Sequence, residues 1–81
     1  MLNKMIHLQG VGAVRGKEAK DIRAGDIIMW NFGYTSLVLD NPTLSKSGKS
    51  VTVVFKDTHN GKIHDRQFRI NRTVAIEKEG E

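Results

Sequence analysis

Eighty-one residues, no cysteine and a net charge of +4 describe one small basic domain. A chain this short buries a single modest core, and without cysteine it has no disulfide staple, no thiolate nucleophile and no Cys-ligated zinc. No apolar run approaches the roughly 20 residues of a membrane span, and Met1–Gln9 lacks the pattern of a signal peptide, so the expectation is a soluble cytoplasmic protein with no membrane partner.

In chain order, Met5–Leu8 is a short strand or a packed arm. Gly10, Gly12 and Gly16 follow within seven residues, and glycine keeps a backbone free, so Gln9–Lys17 is predicted to be a mobile loop. Gly10-Val11-Gly12 is not a dinucleotide fingerprint, because Arg15 stands where the third glycine should be and no helix follows. Residues 1–20 therefore read as a flexible N-terminal arm. Lys17–Ile22 has length for one helical turn but not for a stable helix. Asp21–Asp26 is a tight turn that launches the main run of strands.

Ile27–Asn31 is the first predicted barrel strand, and Phe32-Gly33-Tyr34 turns the chain into a second, Thr35–Asp40. Asn41-Pro42 ends that strand, since proline has no amide donor for a ladder. Thr43–Ser50 is a polar loop with Gly48 at its tip. The third strand, Ser50–Lys56, carries Val51, Val53 and Phe55 on one face. Asn60-Gly61 is a strong hairpin signal, because both residues accept positive φ. In the fourth strand, Lys62–Arg69, Ile63 and Phe68 have opposite parity, so a bulge or sharp coil is expected near Asp65–Gln67. After a turn at Ile70–Arg72, the fifth strand, Thr73–Glu77, points Val74 and Ile76 inward, and Lys78–Glu81 is a frayed charged tail. The expected fold is all-β: a small, five-stranded, partly open antiparallel SH3-like barrel over residues 21–77, with an OB-type barrel as the runner-up.

Asp21–Ile76 resembles the N-terminal domain of elongation factor P, a KOW-type SH3-like barrel. The resemblance runs through Asp21-Ile22-Arg23-Ala24-Gly25-Asp26 at the opening turn, Leu37-Val38-Leu39 in the second strand and Ser47-Gly48-Lys49 at the loop tip. It continues through Asn60-Gly61 and ends on Arg66-Gln67-Phe68-Arg69 in the strand that closes the domain. In that family the loop-tip lysine, Lys49 here, serves the ribosome's peptidyl-transfer centre. This chain's loop is shorter and a Ser precedes the Gly, which argues against an elongation factor proper. The segment Met29–Tyr34 is also similar to short bacteriophage and prophage proteins.

The chemistry-bearing residues are sparse. His7, His59, His64, Asp40, Asp57 and Asp65 are the candidates for acid–base or metal work, but their spacing matches no established site. His64 and Asp65, as strand neighbours, point to opposite faces. No enzyme, metal or cofactor is expected. Charge is more informative. Residues 42–73 hold seven Lys/Arg against two Asp/Glu, the footprint of a polyanion binder. The expected function is a non-catalytic nucleic-acid-binding module. Its candidate contacts are Lys46, Lys49, Lys62, Arg66, Arg69 and Arg72, with Tyr34 and Phe32 stacking on bases. Trp30, Phe32 and Tyr34 share one face if their segment is extended, with Trp30 assigned to the core. The alternatives are a protein-binding module of phage type acting on a host factor, or a subunit of an assembly.

Overall fold

The computed structural model describes residues 2–80. Eight strands form one antiparallel sheet: β1 (Lys4–Leu8), β2 (Gly12–Glu18), β3 (Ile27–Met29), β4 (Thr35–Val38), β5 (Thr43–Leu44), β6 (Ser50–Asp57), β7 (Ile63–Arg69) and β8 (Thr73–Lys78). Single 3-10 turns occupy Ala19–Asp21 and Asn31–Gly33. The hydrogen-bonded order runs β1-β2-β8-β3-β4-β6, with β5 and β7 both on β6.

The sheet is open but curls hard on itself. Three strand spacings separate β3 from β7 along the path, about 14 Å in a flat sheet. Trp30, just beyond β3, nevertheless lies 6.2 Å from Phe68 of β7, ring centroid to ring centroid. The concave side holds the core, where Ile28, Val38, Val51, Val53, Phe68, Val74 and Ile76 pack with Ala19 and Ile22. The seven strand residues of that set come from β3, β4, β6, β7 and β8, whose alternation turns every second side chain inward. Backbone bonds from Ala19 N to Arg72 O (2.9 Å) and from Lys20 N to Ile70 O (3.1 Å) tie the first 3-10 turn to the β7–β8 connection.

Five of the eight strands correspond to the five expected, but the sheet has three more, and this corrects the five-stranded expectation. The expected N-terminal arm is a β-hairpin: β1 pairs β2 from Lys4↔Gly16 to Leu8↔Gly12, and β2 pairs β8 from Gly16↔Ala75 to Glu18↔Thr73. The glycines that suggested a mobile loop build this hairpin. Gly10 and Gly12, at φ 76° and 106°, form its turn. Gly16 lies so close beneath β8 that a Cβ there would overlap the Val74 carbonyl oxygen. β5 lies within the expected loop Thr43–Ser50 and adds a two-residue edge on β6.

The expected bulge in the fourth strand is absent: β6 and β7 pair without interruption from Ser50↔Arg69 to Lys56↔Ile63. Ile63 stays on the convex face, 64 % exposed, so no bulge is needed to bury it. The register shift falls instead between Ile27 and Ile28, where β3 meets β8. The tail is held at least to Gly80, whose N–H donates to Asp26 Oδ1 at 2.8 Å. Glu81 lies outside the described residues.

Candidate nucleic-acid interface

The site begins with the alternation of β7. His64, Arg66 and Phe68 stand opposite Phe55, Val53 and Val51, so all six side chains face the concave side. Phe68 is buried, whereas Arg66 and His64 are exposed, because β7 is an edge strand that runs past the core. Arg66 lies over two aromatic rings, with Cζ 5.3 Å from the Trp30 centroid and 5.0 Å from that of Phe68. Arg72, in the β7–β8 turn, approaches Phe68 from the side of its own turn at 5.5 Å. All three distances are within cation–π range. The Trp30 and Phe68 planes are 17° apart, so the two rings form a nearly parallel floor. Among the described residues no carboxylate forms an ion pair with either arginine.

These groups line a groove of about 320 Å³ that continues past Asn31 to Ile6 and His7 of β1. One wall is therefore supplied by the N-terminal hairpin.

A polar chain holds the floor in place. Trp30 Nε1 donates to Ser36 Oγ at 2.8 Å, and Ser36 Oγ donates to Asp57 Oδ1 at 2.7 Å. His64 Nε2 lies 3.0 Å from Asp57 Oδ2. The Ser36 hydroxyl is the main reason that the Asp57 carboxyl sits below its ordinary pKa; the charge of His64 adds to this, while desolvation opposes it. Serine, aspartate and histidine are connected here with the carboxylate in the middle. The fully buried Ser36 hydroxyl thus gives its proton to Asp57 and has no imidazole beside it. That order orients an indole; nucleophilic attack by serine needs the imidazole next to the hydroxyl. Among the described residues no group of three His, Cys, Asp or Glu side chains is placed to hold a metal ion, and no helix is long and apolar enough to cross a membrane.

The seven expected contact residues fall in separate places. Arg66 and Arg72 meet at the groove. Lys49 and Arg69 line a second, shallower hollow with Ser50 and Gln67. Lys46 is exposed in the turn before β6, where Gly48 adopts φ 73°. Lys62 lies at the far end of β7, seven residues before Arg69 and therefore roughly 23 Å away along an extended strand. Tyr34 is 55 % exposed beside His59, with ring centroids 5.1 Å apart.

Trp30, Phe32 and Tyr34 do not share a face. The 3-10 turn at Asn31–Gly33 replaces the extended backbone that a common face requires, and Phe32 there has φ 65°. Trp30 packs against the core as expected but remains half-buried, its ring reached by Arg66. Its part in the groove, and that of Phe68, were not read from the sequence. The available signal was the shared parity of His64, Arg66 and Phe68. Compared with models of known protein families, with curated proteins and with solved structures, the chain finds no match.

Proposed function

We propose that this chain is a non-catalytic module that binds nucleic acid at the edge of a small β-barrel, with Arg66 and Arg72 as its central phosphate contacts. The observation that carries this reading is the pair of guanidinium groups over Trp30 and Phe68 with no carboxylate partner among the described residues. An arginine stacked on a ring keeps the edge of its donor fork free, and that edge matches phosphate geometry. Lys46, Lys49 and Arg69 extend the positive field from this edge, and Lys62 does so at the far end of β7. The order β8-β3-β4-β6-β7 supports an SH3-like barrel to which the β1–β2 hairpin has been added. With Gly48-Lys49 at a loop tip, it also supports kinship with KOW-type barrels.

The test is fluorescence anisotropy with a labelled mixed-sequence oligonucleotide over a salt series, comparing the native chain with Arg66→Glu/Arg72→Glu. Removing two phosphate contacts lowers the slope of log affinity against log salt by roughly 1.4–1.8. Unchanged affinity in the charge-reversed chain refutes the assignment. Salt-resistant capture of a protein, with no oligonucleotide binding, favours the protein-module alternative.

A further inference from the structure

Among the described residues Phe32 is the only non-glycine with positive φ. At φ 65° and ψ 13° it occupies the left-handed region, which is strongly disfavoured for a bulky aromatic. Core packing does not require it there, since the residue is 63 % exposed. Glycine or asparagine would make the same turn with less strain.

The surroundings hold Phe32 in this state. Its N–H donates to Gln9 O at 2.7 Å, and the Gln9 N–H donates to Asn31 Oδ1 at 2.9 Å. The ring leans on the β1–β2 turn at Gly10, where an added Cβ would come within 2.6 Å of Phe32 Cδ1. The glycine backbone supports the ring on one side and the rest of it faces solvent. The platform stands at the rim of the arginine groove. Asn31, the preceding residue, lines that groove, as do His7 and Leu8, which lead directly into Gln9 and Gly10.

We propose that Phe32 is a preformed stacking platform for one unpaired base, and that it makes the arginine groove selective for single-stranded nucleic acid. The inference rests on the function proposed above. Base faces in a duplex are covered by their neighbours, whereas a single strand can offer one to a protein ring. A platform already held by the fold loses little further freedom when it is engaged. Its neighbour Asn31 lines the groove that also holds Arg66 and Arg72, and that cationic setting favours a nucleotide over an apolar protein segment.

The experiment measures anisotropy of a labelled single-stranded 10-mer and of a hairpin duplex, for the native chain, Phe32→Gly, Phe32→Asn and Phe32→Trp. Loss of one stacked base is expected to weaken single-strand binding about 10-fold in Phe32→Gly and Phe32→Asn. Duplex binding should stay unchanged, both variants should melt no lower than the native chain, and Phe32→Trp should retain affinity. Equal single-strand affinity in Phe32→Gly overturns the platform. The groove itself survives that outcome if charge reversal at Arg66 and Arg72 still abolishes binding. No binding of either oligonucleotide by the native chain overturns both. So does binding of an apolar protein segment that Phe32→Gly loses, in the absence of oligonucleotide binding.

Discussion

Replacing Asp26 with alanine should be among the most damaging single changes in this chain. Asp26 is 1 % exposed and its partner Lys17 3 %. Asp26 Oδ2 takes the Lys17 ammonium and the Arg23 N–H (2.8 Å), and Oδ1 takes the Gly80 N–H (2.8 Å). One carboxylate thus joins the N-terminal hairpin, the turn before β3 and the C-terminal segment. Alanine strands the Lys17 charge, leaving Glu79 Oε2 at 3.2 Å, and orphans two backbone donors. Breaking a buried pair from one side costs about 3–5 kcal/mol, a large share of the 5–15 kcal/mol typical of a whole domain. At about 4–8 °C per kcal/mol for this size, melting should fall by at least roughly 12 °C. Urea unfolding of Asp26→Asn, Lys17→Met and the double variant isolates the pair. The double should cost less than the two singles together, by about 0.5–3 kcal/mol, because it leaves no lone buried charge. Strictly additive losses, or single losses below about 1 kcal/mol as at exposed ion pairs, would refute the buried pair and with it the docked hairpin.

Two further outcomes follow from the same geometry. Gly16→Ala places a methyl group against the Val74 carbonyl; it should cost about 1–3 kcal/mol and speed amide exchange in β1 and β2 more than in β6, whereas uniform exchange would argue against the close approach. The folded-state pKa of Asp57 lies below its ordinary value of 3.8, so the unfolded chain binds the proton more readily. The stability it contributes is present above about pH 4 and is lost as pH falls toward the depressed folded value. Urea titrations between roughly pH 2 and 6 should therefore show a shallower acid limb for Asp57→Asn than for the native chain, and identical limbs would contradict the Ser36–Asp57–His64 chain.

Local signals located β3, β4, β6, β7 and β8 because each is a local event. Pro42 lacks a donor, Asn60-Gly61 accepts a tight turn, and Val51, Val53 and Phe55 alternate. The same locality misread the N-terminus. Gly16 reads as freedom in a window of a few residues, and only the passage of β8 above it shows that the absent side chain is what permits pairing. Lys17 likewise reads as the end of a mobile loop until Asp26, nine positions later, comes to meet it. In β7 the parity of Ile63 and Phe68 suggested a bulge, on the premise that every large apolar residue seeks the core. The strand instead keeps its register and leaves Ile63 on the convex face.

The candidate site divides along the same line. Sequence alone determined that positive charge concentrates in residues 42–73, that Val51, Val53 and Phe55 in one strand and Val74 and Ile76 in another point inward, and that no cysteine chemistry is available. Charge density, alternation and composition survive any arrangement of the chain. Only the tertiary structure decided which cations lie side by side. Arg66 and Arg72 share an aromatic floor because the sheet curls until β3 and β7, separated by two strands, face one another, while Lys62 and Tyr34 stay at the hairpin end of β7. That curl is set by packing between residues distant in sequence, and no local window contains it.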